Sequence, residues 1–406
     1  MSTSTPKIAI IGAGPVGLML AAILHHRGTK CTIFERETSA TVRAQGGTLD
    51  IHAETGQRAI AAAGLLTAFK KLSRPEGEAT RVVKKDGTVL LDENEQQQQD
   101  SKDLQNGQEE EDGRGRPEID RKDLKDLLIA ALPESTIRWG KGISSVKSVP
   151  GTQRWMLEFM ERDSNTEDSD SGPYDLVLGA DGAWSRIRPL LTDVRPLYSG
   201  VTALDVWILP EQLAARPEVS AFIGEGSCMM FSEDRFLSLQ RHSDGSARAY
   251  AMVRTNREIG MEVLDANALL GLEDNEEEAR DAVLAMTEQP TLRPLYMLPV
   301  GHRWEPRPGL SLLGDAAHVM TPFAGVGVNV GMMDALELAE GIAAYVEQQE
   351  EKGEEGLAQM LRKYEEGMFE RSRKDAALTA SMMEIEFCED GAEKVVEVMT
   401  GGEPPA

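Results

Sequence analysis

The sequence predicts an α/β fold: a three-layer nucleotide-binding domain with an inserted, mostly antiparallel β-sheet and C-terminal helices. Three observations predict it. A glycine-rich turn separates a strand-like apolar run at residues 7–11 from a helix-like pattern at residues 15–27. Apolar runs of strand length then recur through residues 196–303, as in an antiparallel sheet. A last apolar run at residues 309–314 precedes two long stretches with the apolar spacing of helices.

The glycine-rich turn is the segment GAGPVG at residues 12–17. Gly12 permits the tight turn, Gly14 lets the backbone approach a diphosphate, and Gly17 allows the helix to pack closely on the strand. Free N–H groups and the helix dipole favour an anion at this position. The second predicted strand ends at Glu35, whose carboxylate can accept hydrogen bonds from ribose hydroxyls. These features predict a Rossmann-like site for a dinucleotide with an unphosphorylated ribose.

Two later motifs extend this site to a flavin. Residues 179–182 (GADG) form an acidic, glycine-rich turn, and Asp315 follows the strand predicted at residues 309–314, where a carboxylate can receive a ribityl hydroxyl. Residues 321–329 open the next helix, so backbone N–H groups from Gly325 onward are placed to face the N1 and O2 edge of an isoalloxazine ring. Reduced flavin carries its negative charge at that edge. We therefore predict FAD, bound non-covalently, as the cofactor.

The composition argues against several other classes. The chain has 406 residues and a formal net charge of −25, so a nucleic acid or an anionic membrane would repel it. Its three cysteines are widely spaced and predict neither a disulfide framework nor a zinc site. Polar residues 1–7 leave no room for a signal peptide. The sequence has no run of about 18 apolar residues, so we expect no transmembrane helix. We expect a cytoplasmic protein, a monomer or weak oligomer, with no bound metal.

Residues 92–115 interrupt the nucleotide-binding pattern with runs of glutamine and of acidic residues. They hold almost no apolar side chains and cannot offset their ordering entropy, so we predict a mobile surface insertion. We predict a nucleotide-binding domain in two parts, residues 1–195 and 304–350, with a substrate-binding sheet inserted between them at residues 196–303. C-terminal helices follow at residues 351–400, and residues 401–406 form a disordered tail.

The chain resembles the class A FAD-dependent monooxygenases of the aromatic-hydroxylase type, which share the motifs at residues 12–17, 179–182 and 314–315. Within that class it is similar to the tetracycline-inactivating flavin monooxygenases at residues 46–50, 63–66, 117–124 and 322–329. The likeness runs through most of the chain. It is thin in the inserted sheet, and the segment rich in glutamine and acidic residues departs from it.

The resemblance implies a set of cofactor contacts. Glu35 would lie on the adenosine ribose, Arg43 and Asp50 close to the flavin, and Asp315 on the ribityl chain. Arg121 would bind the cofactor, and its place just after Asp120, a candidate helix N-cap, suits a guanidinium that binds phosphate or ribose oxygens. The complete set of predicted cofactor-binding residues is Gly12, Gly14, Gly17, Glu35, Arg36, Arg43, Asp50, Arg121, Asp181, Asp315, Pro322, Gly325, Val328 and Asn329.

The resemblance also implies the chemistry. NADPH or NADH would reduce FAD, O₂ would add at the flavin C4a position, and the hydroperoxide would pass one oxygen to a bound substrate. The flavin carries this chemistry, so we assign no side chain as catalytic and leave His52 and His318 as structural groups. The chain has no second dinucleotide motif on a strand, so we expect the nicotinamide cofactor to visit a groove near Asp181 and Arg186.

We expect the substrate to be a small polycyclic, aromatic or enolic compound of secondary metabolism, hydroxylated by the enzyme. Three alternatives stay open: a tetracycline-inactivating monooxygenase, an FAD-dependent reductase or halogenase, and a non-catalytic flavoprotein that senses redox state. A halogenase would need a lysine beside a tunnel and a tryptophan-rich motif after the second strand, and neither is visible in the sequence.

The predicted substrate pocket consists of Asp205, Cys228, Met230, Pro322 and Phe323. An ungapped alignment places Asp205, Cys228 and Ala249 where the tetracycline-inactivating relatives direct a glutamine, an arginine and a histidine toward the drug. Two hydrogen-bond donors would be lost and a carboxylate gained. Because an unpaired buried polar group costs roughly 1–3 kcal/mol, we expect weak or no turnover of tetracycline.

Overall fold

A computed structural model describes residues 5–42, 46–94, 115–160, 169–255, 290–347 and 349–402. The strands are β1 (Ile8–Ile11), β2 (Thr32–Phe34), β3 (Thr48–Asp50), β4 (Thr80–Lys84), β5 (Val89–Asp92), β6 (Glu118–Asp120), β7 (Ile137–Arg138), β8 (Ile143–Ser148), β9 (Trp155–Phe159), β10 (Leu176–Gly179), β11 (Leu197–Ile208), β12 (Ser227–Ser232), β13 (Arg235–Arg241), β14 (Ala247–Arg254), β15 (Thr291–Met297) and β16 (Leu310–Leu312).

The α-helices are α1 (Pro15–His26), α2 (Arg58–Ala62), α3 (Leu66–Leu72), α4 (Arg121–Ala130), α5 (Pro210–Ala215), α6 (Pro217–Ile223), α7 (Asp315–His318), α8 (Gly327–Glu347), α9 (Gln349–Glu386) and α10 (Gly391–Met399). Within the described ranges, none of these helices is both long enough and apolar enough to cross a membrane.

A five-stranded parallel sheet forms the nucleotide-binding domain, in the spatial order β16-β10-β1-β2-β7. Every residue of β1 is buried, as expected for a central parallel strand covered on both faces. Pro15 occupies the first turn of α1, and Gly28, with a φ of +79°, follows its last turn. Helix α1 packs against α8, and both contribute to the main apolar core. The predicted α/β fold is therefore confirmed.

A second sheet has seven strands in the order β15-β11-β14-β13-β12-β4-β5. Its strand pairs are antiparallel except for β12 with β4, which run parallel. The sheet is thus mostly antiparallel, as predicted, but β4 and β5 come from the first part of the chain. The sequence pattern missed this pairing because a strand's partner is fixed by contacts remote in sequence.

The two faces of the seven-stranded sheet pack against different helices. On one face, Cys228 and Ala249 lie in a buried cluster with Leu213 of α5 and Ile223 of α6. On the other face, strand side chains form a cluster with the C-terminal helices and with Phe323. Successive side chains along a strand therefore enter alternate buried environments, so a residue's odd or even position in the strand decides which cluster it joins.

The predicted mobile insertion begins too early in the chain. Strand β5 continues through Asp92, whose carboxylate lies 2.7 Å from the Arg81 guanidinium. Glu93 and Asn94 are buried, and Glu93 accepts a hydrogen bond from the Thr80 backbone. Polar side chains here are paired within the fold, which composition alone does not reveal. Residues 95–114 of the predicted insertion and 403–406 of the predicted tail lie outside the described residues.

Candidate cofactor and substrate site

A cavity of about 620 Å³ lies between the two large sheets. One wall is built from residues that follow the carboxyl ends of four neighbouring parallel strands, the usual ligand position in such sheets. These residues are Gly12 after β1, Glu35 after β2, Asp181 after β10 and Asp315 after β16. The other wall comes from Arg248 and Tyr250 of β14 and Arg293 of β15.

The glycine-rich turn has the backbone that its sequence predicts. Gly12 has a φ of +106°, and a Cβ atom there would lie 2.5 Å from the Ala180 carbonyl oxygen. A Cβ atom at Gly17 would collide with the Gly12 carbonyl oxygen, so both glycines are required by the fold itself. At Gly14 a Cβ atom would meet no atom within 4 Å. Open space therefore lies at the N-terminus of α1, where a diphosphate is favoured.

Glu35 is held against this turn. Its Oε2 accepts a hydrogen bond from the Ala13 N–H (2.7 Å), and its Oε1 accepts one from the Glu37 N–H (2.9 Å). A carboxylate has further lone pairs, so Glu35 can still accept a hydrogen bond from a ribose hydroxyl in the cavity. Arg36 also lines the cavity, and its Nε lies 3.5 Å from the Glu37 carboxylate.

Asp181 presents an unsatisfied acceptor. Its Oδ2 accepts a hydrogen bond from the Arg186 N–H (2.7 Å), while its buried Oδ1 has no hydrogen-bond partner among the described residues. Burial raises the pKa of the Asp181 carboxyl, against the hydrogen bonds from Ser185 and Arg186. A buried orphan acceptor beside a cavity fits a ligand hydroxyl.

A buried ionic cluster supports the turn that carries Asp315. Asp334 is fully buried and accepts a hydrogen bond from the Gly314 N–H (2.9 Å). Its carboxylate also lies 2.6 Å from His318 Nε2 and 2.8 Å from Arg371 Nη2. Burial alone would lower the pKa of His318, but the charge and hydrogen bond of Asp334, together with the charge of Asp315, outweigh burial and raise that pKa. In the structure, His318 thus belongs to the buried cluster beneath this turn.

Arg121 lines the cavity next to Gly46, where a Cβ atom would lie 2.8 Å from the arginine Cδ. Its Nε is buried without a hydrogen-bond partner in the described part of the chain. Burial lowers the pKa of Arg121, partly offset by Tyr250 and Asp315. The side chain is thus positioned for an oxygen-rich ligand in the cavity.

Asp120 precedes α4 but makes no side-chain capping bond, so its predicted capping role is wrong. Its carboxylate turns to the second sheet instead. There it accepts a hydrogen bond from Ser243 Oγ (2.6 Å) and lies 3.3 Å from His242 Nδ1. Burial opposes ionisation, but the contacts with His242 and Ser243 prevail and lower the pKa of Asp120 to about 2.

The loop before α8 lies outside the cavity lining. Gly325 has a φ of +67° and approaches Asp50, since a Cβ atom there would lie 3.5 Å from Asp50 Oδ2. The buried Asn329 side chain accepts a hydrogen bond from the His52 N–H and donates one to the Asp50 carbonyl, both at 2.9 Å. It joins β3 to α8, so its side chain is already satisfied by protein.

The remaining members of the predicted cofactor set fall in three different places. Val328 packs on the main core, and Pro322 is exposed; neither lines the cavity. Arg43 lies outside the described residues.

Two predicted substrate residues, Cys228 and Met230, are on the wrong side of the second sheet. Their side chains join the cluster under α5 and α6, as does Ala249 of the alignment. Cys228 is only 1% exposed, and burial raises its pKa to about 12. A one-residue slip in a strand moves every side chain to the opposite face, so an ungapped alignment does not fix which face a side chain enters. The expectation of weak tetracycline turnover thus loses two of its three supporting positions and stays a prediction.

The other predicted substrate residues also need revision. Phe323 is a core residue, with its ring centroid 5.5 Å from that of Phe387. Asp205 is on the cavity side of β11, but its carboxylate is bound by Arg248 and Arg293. Neither arginine was predicted from the sequence. A buried acid in a strand was the available signal, because such an acid needs cationic neighbours on the adjacent strands.

Comparison with known proteins agrees with this geometry. Residues 5–260 and 304–369 match the model of the FAD binding domain family. Monooxygenase penA of Penicillium thymicola is 30% identical over 98% of this chain and 99% of its own. Monooxygenase asqM of Emericella nidulans is 32% identical over 82% of this chain and 83% of its own. The structure of tetracycline destructase Tet(55) superposes with a TM-score of 0.69 at 18% identity, covering both chains completely.

The fold and the site define a flavin-dependent oxidoreductase. The chain belongs to the FAD binding domain family. It is an FAD-dependent monooxygenase, as the resemblance in sequence predicted.

Proposed function

We propose that this monooxygenase uses NADPH or NADH and O₂ to insert one oxygen atom into a small aromatic, polycyclic or enolic compound of secondary metabolism. The observation that carries the proposal is the cavity. It joins the dinucleotide wall of the parallel sheet to a second wall, from the seven-stranded sheet, that includes Tyr250. A cofactor and an organic substrate can therefore meet in one space.

The residues of the first wall suit FAD. Open space at Gly14 accepts the diphosphate, and the carboxylates of Glu35 and Asp315 line the path of the ribose and ribityl hydroxyls. The orphan Oδ1 of Asp181 and the orphan Nε of Arg121 supply an unsatisfied acceptor and an unsatisfied donor. When bound, FAD supplies the electron transfer and the oxygen activation.

The protein itself binds and orients the cofactor and the substrate, and it excludes water from them. The cluster of Asp334, His318 and Arg371 fixes the turn that carries Asp315, while Asn329 fixes β3 against α8. Asp334 and Asn329, the central residues of the two supports, are both fully buried, so their hydrogen bonds are shielded from water.

The proposal is tested by a turnover assay on the purified holoenzyme. NADPH oxidation and O₂ uptake are followed under air, with and without each member of a panel of polycyclic phenols and enols. We expect at least one compound to accelerate both rates together and to be converted. A Gly14→Val variant without FAD is the matched control. NADPH oxidation that no compound accelerates, or that proceeds without O₂ uptake, would favour a reductase or a redox sensor instead.

A further inference from the structure

The seven-stranded sheet presents a basic wall to the cavity. Arg248 and Arg293 extend from β14 and β15 on the same face of the sheet as Asp205 of β11. Arg121 approaches them from α4, closely enough that Arg248 and Arg293 each contribute to lowering its pKa. Three guanidinium groups therefore converge where the two walls of the cavity meet.

Asp205 holds the two sheet arginines in place. Its side chain is 3% exposed and accepts two hydrogen bonds from Arg248, from Nε at 2.6 Å and from Nη2 at 2.5 Å. The same carboxylate pairs with Nε of Arg293. Burial alone would raise the pKa of Asp205, but the two arginines reverse this and keep it ionised. One carboxylate thus orients two cations.

The two arginines differ in what they offer to a ligand. Arg248 is 2% exposed, with its guanidinium 4.6 Å above the Trp207 ring and 5.4 Å from the Tyr250 ring. The Arg293 side chain is 42% exposed and is held by Asp205 through Nε. Because the guanidinium group is planar, an Arg293 side chain bound through Nε keeps the N–H groups of its outer edge, away from Asp205, for a ligand. Arg293 is therefore the accessible cation of the pair.

The charges at this junction do not balance. In the described part of the chain, Arg248 and Arg293 share the single carboxylate of Asp205, which leaves one positive charge in excess on this wall without counting Arg121 and Asp315, the residues assigned to FAD. A partly desolvated cation is stabilised by an anionic ligand. The N-terminus of α1, which suits the diphosphate of FAD, lies on the opposite wall. The excess charge is thus available to a different ligand.

We propose that Arg293, oriented by Asp205, is the anion-binding residue of the substrate site and selects an aromatic substrate that carries an oxyanion: a carboxylate, phenolate or enolate. This inference rests on the proposed function and deepens it. Trp184, which is 62% exposed, and Tyr250 line the same cavity and add aromatic surface beside such a substrate. Asp205 acts as a positioning residue.

The test is a binding titration of the holoenzyme, followed by the perturbation of the flavin absorbance spectrum. The probes are 1-hydroxy-2-naphthoate and its uncharged amide, which share one ring system. We expect the wild type to bind the acid about tenfold more tightly than the amide, as a charge-assisted hydrogen bond gives. Arg293→Gln should remove that preference and leave amide binding unchanged. Added salt should weaken binding of the acid only.

Arg254→Gln is the matched control, since Arg254 lies on the same sheet, pairs with Glu384 at 3.1 Å and does not line the cavity. Equal affinity of the wild type for acid and amide, or no binding of either, overturns the proposal. So does a loss of FAD from Arg293→Gln, which would assign the arginine to the cofactor. If the acid preference depends on Arg293 but NADPH does not reduce the flavin, the binding site stands and the proposed function fails.

Discussion

At the scale of single residues, the site depends on groups whose environment fixes their role. Gly14 and Asp315 illustrate two kinds of requirement. Gly14 is required because open space adjoins its backbone. Asp315 is required because its carboxylate, after the end of β16, can accept hydrogen bonds in the cavity.

Changing either residue is expected to release the cofactor. Gly14→Val fills the space of the diphosphate, and Asp315→Ala removes an acceptor for a ribityl hydroxyl, so each variant should lose most of its FAD. The measurement is the ratio of flavin absorbance to protein absorbance after purification. Gly367→Ala, at an exposed position of α9 where a Cβ atom makes only ordinary contact and outside the cavity lining, is the control. Full retention of FAD by both cavity variants would refute the site assignment.

The buried pair of His318 and Asp334 gives the fold a pH dependence. The pKa of His318 is raised in the folded state, so its contribution to stability is complete below the unfolded pKa of about 6.5 and is lost as pH rises through the folded value. We expect the melting temperature to fall above that pH and His318→Gln to flatten this decline. The exposed His25→Gln is the control. An unchanged slope in His318→Gln would contradict the account.

The pKa of Asp334 is lowered, so its contribution is present above the unfolded pKa of about 3.9 and is lost as pH falls through the folded value. Asp334→Asn breaks the buried ion pairs and should destabilise the protein by about 3–5 kcal/mol at neutral pH. Urea unfolding measures this loss. A loss below 1 kcal/mol would mean that the cluster is not a support of the Asp315 turn.

At the scale of elements, the sequence predicted a helix or strand well where the residues of that element alone determine its limits. Helix α1 starts at the predicted residue and ends one residue before the predicted end, because Pro15 and Gly28 mark its limits. The strands that residues 196–303 contribute to the second sheet were recognised too, but the orientation of their side chains was not. The face that each side chain of β12 and β14 enters is set by pairing with the remote strands β4 and β11, so Cys228 was assigned to the wrong face.

The polar segment after β5 leads to an element-scale prediction. Residues 96–113 contain too few apolar side chains to belong to a core. Deleting them and joining the ends with a short turn should leave the FAD content and the melting temperature nearly unchanged. Asp92, Glu93 and Asn94 must be kept, because they are paired or buried within the second sheet. A fall of several degrees would show that the deleted segment packs on the fold.

At the scale of the whole molecule, the cavity lies where residues of the two large sheets face each other. Asp120 links α4 to the second sheet, since it is the last residue of β6, directly precedes α4 and binds His242 and Ser243 at the β13–β14 turn. The adjacent Arg121 lines the cavity. No local pattern in the sequence announces this contact, because its partners are more than a hundred residues apart.

Loss of this contact should loosen the substrate wall without emptying the cofactor site. Asp120→Ala removes the acceptor of two hydrogen bonds from Ser243 and is expected to destabilise the protein by about 1–3 kcal/mol. Its ligand affinity should fall more than its FAD content. Lys122→Gln, which breaks an exposed pair with Asp126, is the control. Equal losses of FAD and of ligand would show that Asp120 supports the whole cavity and not the substrate wall.

The central claim is that this cavity couples a flavin, a nicotinamide cofactor and O₂ to the oxygenation of an organic substrate. The most direct test is turnover under ¹⁸O₂ with NADPH and the best compound of the phenol and enol panel, with mass spectrometry of the product. The account predicts a product that carries one ¹⁸O atom, and no label when the oxygen isotope is supplied as water. A product labelled from water, or a product formed without label from O₂, would contradict it.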